Sequence, residues 1–591
     1  MASKTRVMAA AGLAVALGLT TAACGGGSDS DNNNNGSSGG AAGYDAAITS
    51  VVNPSTTKGG TLNLWSSQDA DSWDPVRGYY AFVWNLNRLY TRKLVDYAAT
   101  PGKDGLKLVP DLATAEPEIS ADKLTYTFKL RDGIKFDDGS AITSKDIKYG
   151  IERVWASDVL SGGPVYLPGV LDQGQNYKGP YKDTDPNKLG LKSVQTPDDK
   201  TITFKLAKPS GDFLYLLAMP GSGPVPQKRD TGAQYGSKPA ASGPYMFKEI
   251  KPGKSASWVR NPNWDPASDP IRKALPDAIN LTITTNADDL DSRLLAGTAD
   301  LDVGQVGVQA AARTKLLSDP NLKKNADNPV SGFLRYAGIT SVAPLDNIEC
   351  RKAVIYAADP TALQAAFGGP LAAGDIGTSM LPGNIAGSDP NYDPFNRKQG
   401  KPQVDKAKEA LTACGKPNGF DLTITARNNR AQEVKAAEAL QASLKAVGIN
   451  AKIDQYDGAQ QASITGSPDN VKKKGYGIIM AAWAADYPTG SGYMQPLADS
   501  RFIPANGNYN LPEIKDKAID DLFDQANLEA DPDKAAELYK QINTKIMEGA
   551  YYLPVVSAKA LNYRNPRLTN VYIHDTFGQV DFQALGVNDG K

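Results

Sequence analysis

The stretch LTYTFKLRDGIKFDDGSAITSKDIKYGIERV, Leu124 to Val154, holds a strand, a turn and a helix in sequence. Leu124, Tyr126, Phe128 and Leu130 alternate with Thr125, Thr127, Lys129 and Arg131, the period-two pattern of a strand with one buried face. The run ends at Asp132-Gly133, a turn pair. Beyond it Thr143 and Asp146 stand at capping-box spacing, and Ile147, Ile151 and Val154 recur at helical spacing, so a helix is predicted to start there. The segment DKTITFKL, Asp199 to Leu206, echoes DKLTYTFKL at Asp122 to Leu130; the reading is two similar half-buried strands of one sheet, not an internal repeat.

Working outward, the second half repeats the alternation of elements with different connectivity. FDLTITAR reads as a strand, RAQEVKAAEALQASLKAV as an amphipathic helix through Val434, Leu440, Leu444 and Val447, Gly448 as its stop, and INAKID as the next strand. Strand, helix and strand at these lengths make a right-handed βαβ unit with parallel strands. Further helices are expected over Val404 to Ala413 and from about Asp533 to Glu548. The fold class is therefore α/β, with a doubly wound element in the C-terminal half.

Composition removes several function classes. At 591 residues the chain exceeds what one ordinary core serves, so two or more core-bearing units are expected. A formal net charge of -1, with 22% charged and 41% hydrophobic residues, lacks the basic excess that nucleic-acid binding needs. Three cysteines and one histidine leave little material for a transition-metal site or a His-dependent triad. There is no P-loop pattern. No catalytic, metal or cofactor residue is assigned. The acid pairs Asp137-Asp138, Asp198-Asp199 and Asp288-Asp289 read as solvated turn or helix-start positions.

The N-terminal segment reads as an export signal. Lys4 and Arg6 precede an apolar run from Val7 to Leu19, too short for a comfortable bilayer span but suited to a signal peptide over residues 1–23. The following TTAAC, with Thr21 where leucine is usual, resembles the lipobox of bacterial lipoproteins, which makes Cys24 the expected acylation site. Residues 24–57 then read as the lipidated cysteine and a flexible tether, rich in Gly, Ser, Asn and Asp over 25–43. Within it GSSGG and DNNNNG mimic hydrolase and calcium motifs without flanking elements. With Cys24 lipidated, Cys350 and Cys414 form an even pair in an oxidising compartment, to be read as a disulfide or as two buried thiols.

Several stretches together resemble the family 5 extracellular solute-binding proteins of ABC importers, which include dipeptide- and oligopeptide-binding proteins. They are GGTLNLW, DSWDP at Asp71 to Pro75, the Leu124 to Val154 segment, ASGPYMFKEI, RNPNWDPAS, LAGTADLDVG and NIECRKAVIYAADP. The likeness spans residues 58–575. It implies a two-lobed periplasmic-binding-protein-like fold with a hinge and an interlobe cleft: lobe I over 58–324 plus 560–591, lobe II over 325–559. It implies a non-enzymatic monomer without cofactor, lipid-anchored to the outer face of the cell membrane. That monomer would capture a peptide, an oligopeptide before a dipeptide, and deliver it to an ABC permease and ATPase complex. A sugar, a modified amine or a metal complex held by the same fold, or a surface sensor without transport, are the alternatives.

WAADYPTG, Trp483 to Gly490, resembles the family's Trp-x-x-Asp-Tyr segment, whose acid pairs with the α-ammonium of a bound peptide. An ammonium stripped of water must recover its solvation from a fixed anion, and the resemblance gives that role to Asp486. A turn cap or a pair with a framework arginine is the competing reading. Trp483 and Tyr487 are candidate walls of the cleft, equally readable as core. Tyr79 and Tyr80 are candidates to face it from the other lobe. Residues 368–388 contain no Lys, Arg or His, which leaves Arg335 and Arg501 as candidates to meet a ligand carboxylate.

Overall fold

The strand and helix of the opening segment form over Thr125–Lys129 and Ser144–Glu152 in a computed structural model that describes residues 43–589 apart from Asn187 and Ala530. The signal-peptide segment and Cys24 lie outside the described residues. Gly133 takes a φ of 72°, left-handed backbone that glycine enters without strain. Asp146 accepts hydrogen bonds from the Thr143 backbone N–H (2.8 Å) and hydroxyl (2.7 Å), which fixes the helix start. The echoing segment forms the strand Thr201–Lys205 and pairs antiparallel with Thr125–Lys129, Thr127 opposite Thr203.

Three larger sheets organise the molecule. The first lobe carries a five-stranded sheet, ordered Leu301–Asp302, Thr61–Ser66, Ala278–Ile283, Ser255–Arg260 and Tyr245–Lys251. It also carries a four-stranded antiparallel sheet ordered Glu118–Ile119, Thr125–Lys129, Thr201–Lys205 and Val194–Asp198. The second lobe is built on a six-stranded sheet, ordered Gly374–Ile376, Tyr552–Lys559, Val330–Ile339, Tyr476–Trp483, Asp421–Arg427 and Asn450–Tyr456. Each sheet has its own apolar core, represented by Leu64, Trp258 and Leu281 under the first, Phe128, Ile151 and Phe204 under the second, and Ile424, Leu440 and Ile478 under the third.

The βαβ unit of the second half is present as read. Asp421–Arg427 and Asn450–Tyr456 pair in parallel, joined by the helix Ala431–Lys445, with Ala436, Leu440 and Leu444 buried. Helices also occupy Val404–Ala413 and Pro532–Glu548. Cys350, on the helix Ile348–Ala357, is joined to Cys414 at the end of Val404–Ala413, with Cα atoms 5.4 Å apart. The bridge ties two helices of the second lobe. Among the described residues no helix is long and apolar enough to cross a membrane.

Candidate ligand-binding site

Tyr476–Trp483 and Asp421–Arg427 run parallel as neighbours, so their C-terminal ends open on the same edge of the six-stranded sheet. That edge is where open α/β sheets bind ligands. Arg427 and Arg430 emerge from one strand end and Trp483 and Asp486 from the other, and Arg335 lies on the next strand beyond Tyr476–Trp483, paired in register with Ala482. Opposite them stands the first lobe, with Tyr79 and Tyr80 at the start of the helix Ala81–Tyr90.

These residues line a cleft of about 990 Å³ counting its open mouth, walled by Tyr79, Tyr80, Phe333, Arg335, Arg427, Arg430, Trp483 and Tyr509. A second chamber of about 740 Å³ shares Tyr79, Phe333, Trp483 and Tyr509 with it and continues to Trp84, Asp486 and Phe577. The site thus has an acidic end and a basic end. Aromatic rings run between them: Trp483 meets Tyr79 edge-on at 6.0 Å and Tyr509 at 4.6 Å, and Tyr79 stacks on Trp84 at 5.5 Å.

At the acidic end Asp486 Oδ2 accepts hydrogen bonds from the hydroxyls of Tyr79 (2.7 Å) and Tyr166 (2.6 Å), both from the first lobe. No Lys, Arg or His pairs with it among the described residues. Burial pushes its carboxyl up to about 7, against the lowering effect of the two hydroxyls. The reading of Asp486 as a partner of a framework arginine is therefore not what the structure shows.

At the basic end Arg427 is neutralised by Glu433, which takes its guanidinium at 3.0 and 3.1 Å. Arg335 and Arg430 form no ion pair with a carboxylate among the described residues; Arg335 stacks over the Phe367 ring at 4.8 Å. Burial lowers Arg335 to about 10, and the neighbouring Arg427 charge, then burial, lowers Arg430 to about 10. Both stay charged at neutral pH. A buried cation without a counter-ion is costly, so this end is prepared for an anion.

The predicted residues divide. Asp486, Trp483, Tyr79, Tyr80 and Arg335 meet at the cleft. Trp483 donates its indole N–H to the Tyr493 carbonyl at 3.0 Å and offers the ligand a ring surface. Tyr487 does not line the cleft: it is 2% exposed and packs into the apolar core of the four-stranded sheet, stacked on Tyr215 at 5.8 Å. Arg501 does not reach the cleft either, because Asp499 and Asp524 each hold its guanidinium at 2.7 Å. Arg427, Arg430, Tyr166 and Tyr509 were missed. The first two follow a strand end in the βαβ unit, and that placement was a usable signal. Tyr166 opens the short helix Tyr166–Leu171 after a Gly-Gly-Pro run, and Tyr509 sits in an irregular stretch, neither with a pattern that marks the cleft.

The turn that carries Tyr79 is anchored from the opening segment. Arg153 donates to both Asp74 oxygens, at 2.9 and 2.7 Å, and to Asp230 at 3.0 Å, with its guanidinium over the Tyr235 ring. Asp71 in turn accepts the Tyr79 backbone N–H at 2.6 Å. The lone histidine, His574, is buried with Nε2 at 3.0 Å from the Ala98 carbonyl oxygen, and burial lowers it to about 4.

Residues 107–505 match the family described as Bacterial extracellular solute-binding proteins, family 5 Middle. The chain belongs to that family. Among solved structures it is similar to Clavulanic acid biosynthesis oligopeptide binding protein 2, at 42% identity and a TM-score of 0.86 over 93% of this chain and 99% of that one. The fold is shared with DppA from Helicobacter pylori in complex with the peptide STSA, at 22% identity, a TM-score of 0.74, and 90% and 99% coverage. Relatives by sequence include Heme-binding protein A of Haemophilus influenzae, 27% identical over 80% of this chain and 83% of that protein. Glutathione-binding protein GsiB of Escherichia coli is 25% identical over 77% and 82%. The family is one of solute-binding proteins, and the two lobes with a cleft between them are its architecture.

Proposed function

We propose that this family 5 protein is the capture component of an ABC importer and that its ligand is a peptide or a closely similar solute carrying both an ammonium and an anionic group. The observation that carries the reading is Asp486: a carboxylate facing the cleft, held by two hydroxyls and left without a cation. Arg335 and Arg430 at the far end support it, because a ligand carboxylate would supply the negative charge that no carboxylate side chain gives them among the described residues. The likeness to an oligopeptide-binding protein supports a peptide over a sugar, and the burial of His574 withholds the chain's one histidine from a haem or metal complex. The lobes divide as residues 58–324 plus 560–591 and 325–559, hinged where the chain crosses between them; of the stretch read as tether, Ala47 and Val52 are buried in the first-lobe core and Val52 bridges to Val571, so the tether ends before Ala46. The captured solute is passed unchanged to a permease and its ATPase, and Cys24 anchors the monomer by lipid at the outer face of the cell membrane.

Mass spectrometry of solutes that co-purify with the mature protein identifies the ligand, and recovery of sugars or metals alone rejects the peptide reading. Calorimetry with the recovered ligand then tests Asp486. Asp486→Asn weakens binding by about 2–5 kcal/mol, the cost of removing one member of a desolvated ion pair. In the wild type the group is held up near 7, and only its ionised form receives an ammonium, so affinity is full above that value and falls as pH drops through it. An unchanged affinity in the variant, or a profile flat down to pH 5, removes Asp486 from the role.

A further inference from the structure

Asp212 begins the short helix Phe213–Leu217 in the first lobe, yet its side chain makes no hydrogen bond to that helix. It is 9% exposed and turns instead to the second lobe, where the Thr489 hydroxyl donates to Oδ2 at 3.2 Å and the hydroxyls of Tyr487 and Ser491 complete its surroundings. These three residues belong to the segment that directly follows Asp486. The arrangement is reciprocal: the second lobe sends Asp486 to two first-lobe hydroxyls, and the first lobe sends Asp212 to hydroxyls of the second. Two further contacts stitch the same seam, Gly211 N–H to the Asn527 carbonyl at 3.0 Å and the Tyr215 ring on Tyr487.

The ionisable groups that face Asp212 are Tyr487, Tyr215, Tyr539 and Tyr97. None is a cation. The Ser491 hydroxyl is already committed as donor to Asn527 Oδ1 at 2.8 Å and also meets the Tyr539 hydroxyl at 3.2 Å, which leaves its oxygen a lone pair to accept a hydrogen bond from a neutral carboxyl. Geometry therefore suits Asp212 in both forms, and the absence of a counter-charge favours the neutral one when the seam is shut.

We propose that Asp212 is a proton-linked positioning residue: it holds the Asp486-bearing segment against the first lobe when the lobes close, and closure at this seam takes up a proton. The inference goes beyond ligand recognition and holds whichever solute fills the cleft. In the closed form burial pushes Asp212 up to about 6; opened to water it returns to the ordinary carboxylate value of about 4. The group with the higher value in the closed form stabilises closure in acid, and that contribution is lost as pH rises through about 6. The two-unit difference corresponds to a fall of about 100-fold in the closed-to-open ratio.

The test is the radius of gyration of the ligand-free mature protein by small-angle scattering from pH 4.5 to 7.5, in an Asp486→Asn background that silences the second carboxyl hydrogen-bonded across this seam; Asp71 and Asp302, also raised by burial, are common to every variant. The parent is expected to expand as pH rises, with a midpoint between 4.5 and 6.5. Asp212→Asn, nearly isosteric with the neutral acid, stays compact across the range, and Asp212→Ala is expanded throughout. Tyr487→Phe keeps the ring stack but removes a hydroxyl that stabilises the carboxylate, so its midpoint moves upward. A purely structural role would leave that midpoint in place. Circular dichroism confirms that each variant is folded. Coincident profiles for the parent and Asp212→Asn overturn the proposal while leaving the ligand reading intact.

Discussion

Arg335 and Arg430 differ from Arg427 in one respect that matters for binding: Glu433 neutralises Arg427, whereas the other two face the cleft with no carboxylate partner among the described residues. The cleft is thus a dipole, with the cationic end supplied by side chains whose compensation must come from the ligand. A peptide with a free C-terminal carboxylate and the same peptide amidated separate this effect from packing. Arg335→Gln and Arg430→Gln are each expected to weaken the free-acid peptide by roughly 10- to 100-fold, about 1.4–2.8 kcal/mol, and the amide by much less. Calorimetry on the four combinations reads the coupling directly. Equal losses for the two peptides would mean that the guanidinia shape the wall without receiving the anion.

The elements explain why the opening segment is so informative about a site it does not enter. Its helix ends in Arg153, whose fork grips Asp74 and Asp230 and so holds the turn from which Tyr79 reaches Asp486. Arg153→Lys replaces a planar, bidentate donor by a point charge in a fully buried setting. Breaking such a pair costs about 3–5 kcal/mol, expected as a lower urea midpoint together with weaker ligand binding; an unchanged midpoint would show that the turn is held by its own backbone. Elements of this kind were legible because periodicity reports burial: the strand Thr125–Lys129, the helix Ser144–Glu152 and the βαβ unit each follow from spacing alone. Tyr487 was not placed, since a tyrosine beside a cleft residue reads the same whether it faces ligand or a neighbouring core. Arg501 was misjudged for a related reason, because the acids that hold it, Asp499 and Asp524, are assigned by tertiary packing of the helix Lys517–Leu528. Tyr166, more than 300 positions from Asp486 in sequence, had no local signal to offer.

At the scale of the whole molecule, none of the described helices is long and apolar enough to span a bilayer. In the proposed role the solute is delivered to a membrane permease, and an anchor would keep the protein beside it. The sequence offers one chemical means for it, the cysteine that follows the small residues at the end of the apolar N-terminal run. Stable anchoring takes two acyl chains, since one gives only marginal, reversible binding, and a diacylated Cys24 meets that requirement. Cys24→Ala is therefore expected to move the protein from the membrane pellet to the medium or soluble fraction on fractionation of expressing cells. The released protein should keep the urea midpoint and ligand affinity of the wild type, because a Gly-, Ser- and Asn-rich stretch over 25–43 separates Cys24 in sequence from the packed residues that begin with Ala47. Retention of the variant in the pellet at the wild-type level would show that something other than the lipid holds the protein there.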